Sequence, residues 1–552
     1  MEETPIKFES GECVEYSGVL LLLPFLEESG LFSYVNHYSA LKKGYYDLRI
    51  IILLIAMMYL CRIKNPEQLK RVSPGEYGKL LGLDRIPQSK CLRKKLKEIV
   101  AQTKSSSWNT SLANDWTSAE ENEFYYIDGH VQKYSGYQAN LGKKHVAGQK
   151  LCLPGIQEFW VNNKEGLPYF YISGEVNEKL LEMLSNQIVP NLLKEIQPRY
   201  TEAELISDPD LPRFTIVFDR EAYSPVFFKK LWKEHRVAVI TYRKNVKDLW
   251  PESDFKLYFV DEGDVKTEMR LAEKPLIIQN FEYREIRRLT NQGHQTSIMT
   301  THYQLEKKSI AIYMFSRWTQ ENYFKYLKQD YDFDRLMQYT VESIDCDFVI
   351  VNPEYNNMTY KLKKIREKIS RRKAILYELE RENVRNDLSI TGKSLVKQAK
   401  EKEELDILLN SEQELLEKRK SVPYKIKIDE MPENSRYNKL HVESKHFQNI
   451  IKMICYRSET SFANMLLQFY AKGKTEKRAL AKSIINTRGD IIADYINNSL
   501  TIKLYSQSNP RMNRALEKIC DILTDTNSVY PGTNLKLIYK IATPESTKGQ
   551  EF

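Results

Sequence analysis

The sequence has few cysteines and no long apolar run, and each of these absences excludes a class of protein. Its seven cysteines are scattered, and none is spaced as a CxxC pair. A disulfide framework and a zinc knuckle are therefore not expected, and a reducing cytosol fits. The longest apolar run, residues 50–61, is shorter than the roughly 20 residues of a membrane-spanning helix, so it predicts a buried helix. The first ten residues are acidic and polar, unlike a secretory signal peptide.

The composition indicates a globular and moderately basic protein. Hydrophobic residues make up 42% of the chain and charged residues 28%, which is enough for packed cores beneath a charged surface. A length of 552 residues leaves room for about two to four domains. The formal charge of +9 permits a polyanionic partner such as nucleic acid but does not require one.

Residues 1–110 predict a helical domain with a candidate DNA-binding helix. Residues 85–97 carry six basic residues and no acid. A short helix, a turn and then this basic helix resemble a helix-turn-helix reader, whose second helix enters a DNA groove. A solvated surface helix explains the same pattern equally well. The residues of this helix that we expect to contact DNA are Arg93, Lys94 and Lys97. Residues 104–120 are rich in Ser, Thr and Asn, which predicts a linker.

Residues 120–350 predict a domain built around a mixed sheet. Three strands come first, followed by a helix kinked at Pro190, a strand, a second helix, another strand, a β-rich insertion and a final helix. The predicted strands are 124–131, 151–163, 167–176, 214–221 and 237–244, and the insertion, at about 250–314, ends in a strand at 309–315. Three antiparallel strands followed by two parallel α/β units make a mixed sheet flanked by helices. This order is similar to the ribonuclease-H-like fold, so the predicted class is α/β.

Two further regions follow this domain. Residues 359–420 predict an antiparallel coiled-coil hairpin with a break at 386–392, because apolar residues hold the a and d positions of heptads. A solvated arm without chemistry is the favoured interpretation, and the arm is also a candidate interface. Residues 437–552 predict a C-terminal α+β region with separate helices at 446–456 and 460–470. The role of that region is not legible from its residues.

Three acids could carry chemistry. Asp128 is predicted to close the first strand and Asp219 the fourth, so neighbouring strands would bring both carboxylates to one sheet edge. Glu321 would arrive from a helix packed on that sheet. Taken singly, an aspartate at a strand end is more often a turn residue than a ligand. Together, three such acids could hold two divalent ions about 3.5–4 Å apart for an in-line phosphoryl transfer. Oxygen ligands of this kind favour Mg²⁺ or Mn²⁺. His130 and Glu221 flank the acids, and we expect them to hydrogen-bond the metal-binding residues or to contact the substrate.

The final helix of this domain carries charges at helical spacing. With Thr319 as the predicted N-cap, Glu321, Lys325 and Lys328 fall on one face of the helix. Arg317 precedes Glu321 by four residues, just outside the helix. An acid ringed by three cations suits a site that holds metal and phosphate. A solvated charged face is the commoner meaning of such a cluster.

These residues resemble the DDE transposases of bacterial insertion sequences. The resemblance is to the subgroup with a tyrosine-x2-arginine-x3-glutamate-x6-lysine signature, in which a β-rich insertion precedes the third acid. Arg317, Glu321 and Lys328 match that signature in type and spacing, while Met314 stands at the tyrosine position and Tyr313 lies one residue earlier. The segments IDGH at 127–130 and FDRE at 218–221 look like the first two acid motifs. The resemblance covers residues 120–345 well and the N-terminal region loosely.

The resemblance implies an enzyme that recognises terminal inverted repeats, hydrolyses the transposon 3′ ends and joins them to target DNA. It implies two Mg²⁺ or Mn²⁺ ions held by Asp128, Asp219 and Glu321. Arg317 and Lys328 would contact DNA phosphates, and helical geometry adds Lys325 to them. The expected partners are double-stranded DNA and a second copy of the chain, with no membrane, in the cytoplasm at the nucleoid. Two alternatives stay open: a structure-specific metal-dependent nuclease without strand transfer, and a domesticated, non-catalytic DNA-binding protein.

Overall fold

Helices and mixed sheets build the protein, as the predicted α/β class requires. The structure is a computed structural model that describes residues 5–42, 44–120, 123–146, 149–174, 178–196, 199–262, 265–334, 341–345, 347–385, 392–470 and 477–542. The helices are α1 Leu23–Glu28, α2 Leu48–Leu60, α3 Pro74–Lys79, α4 Ser89–Val100, α5 Ser105–Glu120, α6 Leu180–Met183, α7 Val189–Glu195, α8 Glu202–Ser207, α9 Pro225–His235, α10 Lys307–Phe315, α11 Trp318–Tyr331, α12 Pro353–Arg385, α13 Gly392–Ser421, α14 Glu443–Phe469, α15 Lys477–Ile485 and α16 Pro510–Asp525. The strands are β1 Gly11–Val14, β2 Phe124–Lys133, β3 Lys143–Val146, β4 Leu151–Asn162, β5 Pro168–Gly174, β6 Phe214–Phe218, β7 Val237–Tyr242, β8 Lys256–Glu262, β9 Val265–Ile278, β10 Phe281–Leu289, β11 Gln295–Thr300, β12 Val341–Ser343, β13 Val349–Val351, β14 Lys425–Lys427, β15 Asn438–Leu440, β16 Gly489–Asp494, β17 Ser499–Leu504 and β18 Lys536–Ile541.

The largest sheet is the predicted mixed sheet. Its strand order is β3-β4-β2-β6-β7-β11-β10-β9-β8, with β5 paired to β4. Strands β5, β4 and β2 are antiparallel, whereas β2, β6 and β7 are parallel. The prediction of three antiparallel strands followed by two parallel ones is therefore confirmed. The side chains of β6 are all buried, as expected for a central strand covered on both faces.

The insertion widens this sheet from its β7 edge. Strands β8 to β11 pair with one another and with β7, in antiparallel fashion throughout. The predicted strand at 309–315 is wrong, because these residues form the end of α10. Ile310, Ala311 and Met314 are buried at spacings of one and four residues, which place them on one side of a helix against the sheet. A short apolar run of this kind does not distinguish a strand from a buried helix by its pattern alone.

Two helical segments depart from the sequence interpretation in instructive ways. Residues 105–120, predicted as a linker, form α5, in which Trp108, Leu112 and Trp116 are buried at four-residue spacing. The polar residues between them made this apolar stripe hard to recognise in the sequence.

Residues 180–195 form α6, a π-turn at Leu184–Ile188 and α7. The π-turn ends two residues before Pro190, whose missing N–H and ring disfavour a regular helix. The α-helix is therefore interrupted just before Pro190, where a kink or break was predicted.

The two ends of the chain fold together. Strand β1 pairs with β16 in a sheet of order β1-β16-β17-β18. Helix α14 crosses the centre of this unit and contacts α1, α2, α4, α5, α15 and α16. It is one helix where two were predicted, because Arg457, Ser458 and Glu459 between them are buried and continue the turn. Residues assigned from sequence to separate N-terminal and C-terminal regions thus share one hydrophobic core with the large sheet.

The coiled-coil hairpin consists of α12 and α13. Arg366 pairs with Glu412, and Arg372 pairs with Glu401 and Glu404, so the helices are antiparallel as predicted. Among the described side chains of α12, the buried apolar ones are Leu362, Ile369, Leu376 and Leu379. The predicted break lies almost wholly outside the described residues. Within the described part of the chain, no helix combines the length and apolarity needed to cross a membrane.

Candidate active site

Asp128 and Asp219 lie side by side on neighbouring parallel strands. The register of β2 with β6 runs from Phe124 opposite Thr215 to Ile127 opposite Phe218, so the next residues in step are the two aspartates. Asp219 directly follows β6, as predicted. The prediction that Asp128 closes its strand is wrong, because β2 continues to Lys133 by pairing with β4. Of the two strands, only β6 ends at this point, and both carboxylates lie at the sheet edge beyond its last residue.

The Arg317 guanidinium lies between these two carboxylates. Its Nη2 is 3.6 Å from Asp128 Oδ1, and its Nη1 is 3.8 Å from Asp219 Oδ1. The Arg317 side chain is only 11% exposed, compared with 28% for Asp128 and 45% for Asp219. Two acids in one half-buried place repel each other unless a cation is shared between them. In this structure the shared cation is Arg317.

Helix α11 is docked on the sheet by Gln320, and this contact sets the position of Arg317. The buried Gln320 Nε2 donates to Tyr126 O at 3.2 Å, Trp160 O at 3.3 Å and Asn162 Oδ1 at 2.8 Å. Thr319 was predicted as the N-cap, but Arg317 holds that position. The Thr319 hydroxyl is occupied elsewhere, since it donates to Lys164 O at 3.0 Å.

Glu321 is exposed in the first turn of α11, and its backbone N–H donates to Arg317 O. Among the residues that the structure describes, no group of three or more Asp, Glu, His or Cys side chains is arranged to hold a metal ion. Two of the three predicted acids therefore meet at one cation, and Glu321 stands one helical turn beyond it. The joint metal site of Asp128, Asp219 and Glu321 stays a prediction.

Burial and neighbouring charges set the electrostatics of the site. Burial raises the pKa of Asp128 to about 6, although the Arg317 guanidinium lowers it. Burial also raises the pKa of Glu221, and the Asp219 carboxylate adds to that rise. The charges of Lys144 and Lys244 oppose the rise in the Glu221 pKa, so both lysines lie near the acids. The sequence interpretation did not single out these two lysines. Strand β3, which carries Lys144, was not predicted, and Lys244 was assigned to the end of the predicted strand 237–244, whereas β7 ends at Tyr242.

His130 and Lys328 meet at an acid that the sequence interpretation also missed. His130 Nε2 lies 2.6 Å from Asp334 Oδ1, and Lys328 Nζ lies 3.6 Å from Asp334 Oδ2. The His130 ring stacks on Phe324 with centroids 5.1 Å apart. Burial lowers the pKa of His130, although Asp334 raises it. His130 is thus a hydrogen-bonded neighbour of α11 in this structure, and Lys328 is held at the same acid.

The remaining predicted site residues are more exposed. On α4, Lys94 and Lys97 face solvent, and Arg93 forms an ion pair with Glu67 at 2.8 Å. Lys325 is exposed on α11. At the signature's tyrosine position, Met314 is buried in the core beneath α10. Tyr313 stacks on Phe124 with centroids 4.1 Å apart, so neither residue reaches the aspartates.

The pair of aspartates and its cation can serve two kinds of chemistry. Adjacent hard oxygen donors can hold a divalent cation, and a planar guanidinium can bind a phosphate by two parallel hydrogen bonds. A family model described as "Transposase protein" matches residues 1–543. No curated protein matches the chain, and no solved structure matches it.

Proposed function

Because the chain belongs to this transposase family, we propose that it is a DDE-type enzyme acting on the ends of its own mobile element. It would bind the terminal inverted repeats, hydrolyse the transposon 3′ ends and join them to target DNA. The observation that carries the proposal is the placement of Asp128 beside Asp219 with Arg317 between them. The order β5-β4-β2-β6-β7 supports a ribonuclease-H-like sheet for this domain.

The donor set fits a divalent metal ion. Both aspartates offer carboxylate oxygens, and each has one oxygen within 4 Å of the same guanidinium, so the pair already attracts positive charge. Asp128, Asp219 and Glu321 would hold two Mg²⁺ or Mn²⁺ ions. When bound, these ions would supply activation of the attacking oxygen and stabilisation of the leaving 3′-oxygen.

The residues around the acids would position the DNA. Arg317 would pass from the carboxylates to the scissile phosphate, for which its fork of donors is suited. Lys325 and Lys328 would contact neighbouring phosphates from the same helix. At a distance from the acids, three exposed basic residues of α4 would contact the repeat; they are Arg93, Lys94 and Lys97. We expect a homodimer to hold two transposon ends together.

Substitution of Asp219 tests the proposal. We expect Asp219→Ala to abolish cleavage of a labelled duplex that carries the inverted repeats flanking the gene, with binding of that duplex nearly unchanged. Asp210→Ala is the matched control, because Asp210 is an exposed aspartate of the loop that precedes β6, at the other end of that strand from Asp219. The measurements are strand cleavage in Mg²⁺ or Mn²⁺ and joining to a plasmid target. Near-normal cleavage by Asp219→Ala would refute the site assignment.

The same assay separates the alternatives. Cleavage without joined product would favour a structure-specific nuclease. The single observation that favours a non-catalytic DNA-binding protein is the ion pairing of Arg317 with both aspartates, which partly neutralises the two acids. Binding of the repeats without cleavage in either metal would support that reading.

A further inference from the structure

Lys244 and Arg288 lie on the same face of the large sheet as the two aspartates. The register of β6 with β7 ends at Phe218 opposite Thr241, so Asp219 is next in step with Tyr242. Tyr242 pairs with Ile298 on β11, and Ile298 pairs with Ile286 on β10. Lys244 is two residues beyond Tyr242, and Arg288 is two residues beyond Ile286. Side chains two residues apart point to the same face of a sheet, and pairing with β11 extends past β7, since Arg243 N–H donates to Ser297 O at 3.0 Å. The two cations therefore form a second row, one step outward from the aspartates.

Aromatic side chains form the floor of this row. Arg288 Cζ lies 4.9 Å from the centroid of the Phe315 ring, and the rings of Phe315 and Tyr242 have centroids 6.4 Å apart. Phe315 is the last residue of α10, so this helix stops before the row of Lys244 and Arg288. Burial raises the pKa of Tyr242, while the charges of Arg317, Arg220 and Arg288 lower it. The charges of three guanidinium groups thus act on the Tyr242 phenol, and the Asp219 carboxylate opposes them.

Five nearby cations have an acid partner that Lys244 and Arg288 lack in the described structure. On β9, on β10 and at the residue after β7, these cations each lie within 4 Å of an acid; they are Arg243, Arg270, Lys274, Arg284 and Arg287. Within the described residues, Lys244 and Arg288 have no acid within that distance. Glu221 feels the charge of Lys244 but forms no ion pair with it in the described structure. A half-buried cation that is left without an acid gains most from an anionic ligand.

We propose that Lys244 and Arg288 bind phosphates of the DNA strand that runs from the scissile phosphate across β7, β11 and β10. This inference rests on the proposed function and extends it to the insertion. Three strand spacings separate Asp219 from Arg288 across the sheet, which is about 14 Å. The phosphates bound by Lys244 and Arg288 would therefore lie a few nucleotides away from the reacting bond. These contacts would not depend on base sequence, because contacts to phosphate position a duplex without distinguishing its bases.

The salt dependence of DNA binding measures these contacts directly. In an Asp219→Ala background, which should bind the repeat duplex without cutting it, we expect Lys244→Ala/Arg288→Ala to weaken binding about 10- to 100-fold at moderate salt. The slope of log affinity against log salt should fall by about 1.8, because each lost phosphate contact removes about 0.9. The charge-conserving variant Lys244→Arg/Arg288→Lys should keep most of the slope, which guards against a folding defect. The matched control is Lys256→Ala/Arg270→Ala, which removes one Lys and one Arg from the same insertion; Lys256 is exposed, and Arg270 is half-buried and paired with Glu252.

The outcomes distinguish this inference from the function on which it rests. A slope for Lys244→Ala/Arg288→Ala equal to that of the background would overturn the inference, even if the wild-type protein cleaves and joins the ends. A loss equal to that of the control would overturn it too, because it would reflect net charge alone. A wild-type protein that neither cleaves nor joins the ends would end the proposed function. The slope would still report whether these two residues bind DNA.

Discussion

The docking contact of Gln320 offers the sharpest test of how the fold positions the site. Gln320→Leu preserves the approximate volume and the helical preference of the residue but removes the amide that holds α11 to β2 and β4. The first turn of α11 carries Arg317 at its N-cap and Glu321 on its exposed side. We therefore expect this substitution to shift the groups that face the two aspartates, although Gln320 itself touches neither.

The magnitude follows from the three acceptors that Gln320 serves. Losing these hydrogen bonds and leaving Asn162 Oδ1 without this donor costs about 1–3 kcal/mol. Removal of Gln320 Oε1, which is buried without a partner in the described structure, offsets part of that cost. The expected loss in the free energy of unfolding is about 1–2 kcal/mol. For cleavage, a displacement of about 1 Å near reacting groups can cost about 100-fold, so we expect a fall of about 10- to 100-fold.

The assay combines urea denaturation with cleavage of the repeat duplex at saturating DNA. The same change at an exposed position of the same helix, Gln329→Leu, is the control and should alter neither measurement appreciably. If Gln320→Leu cleaves at the wild-type rate while losing the expected stability, Gln320 holds the fold but does not position the site. If it loses neither, the docking contact described here is wrong.

Two further predictions concern buried charge. Glu459 is fully buried and accepts from Arg62 at 2.9 Å and from the hydroxyl groups of Tyr331 and Tyr326. Glu459→Gln should therefore lower the free energy of unfolding, measured in urea, by about 3–5 kcal/mol. An unchanged value would show that the ion pair is not buried in solution. The pKa of Asp128 is raised from 3.8 to about 6, so the folded state binds this proton more tightly than the unfolded state does. The resulting contribution to the free energy of unfolding is complete below about pH 4 and is lost as the pH rises through 6. Asp128→Asn should therefore gain up to about 3 kcal/mol of stability over the wild-type protein between pH 4 and 8, and a pH-independent difference in urea denaturation would contradict this assignment.

The sequence predicts the centre of the fold well, because that part depends on local patterns. Strands rich in β-forming residues and bounded by turns predict β2, β4, β5, β6 and β7. The parallel arrangement then follows from the helices between them. The adjacency of Asp128 and Asp219 follows from the same reasoning, since both acids lie where β6 ends. To place the two aspartates together, it is enough to know that their strands are parallel neighbours.

The parts that the sequence does not predict depend on distant contacts. Arg317 reaches both aspartates only because Gln320 docks its helix on the sheet, and nothing within that helix specifies the docking. Lys244 and Arg288 fall into one row only through the register of β7, β11 and β10, which side-chain pattern leaves undetermined. Helix α5 escapes detection because its buried tryptophans are separated by polar residues that also favour loops.

The pairing of β1 with β16 has a consequence for how the protein is made. Cys13 N–H donates to Asp490 Oδ1 across 477 residues of chain, so the first strand emerges from the ribosome long before its partner exists. At about 5–20 residues per second, the delay is about half a minute to a minute and a half. During that time the apolar helix α2 has no α14 to cover it. The nascent chain is thus exposed to aggregation until α14 and β16 have been synthesised, and a product terminated before them would be a substrate for chaperones and proteases rather than a smaller DNA-binding protein.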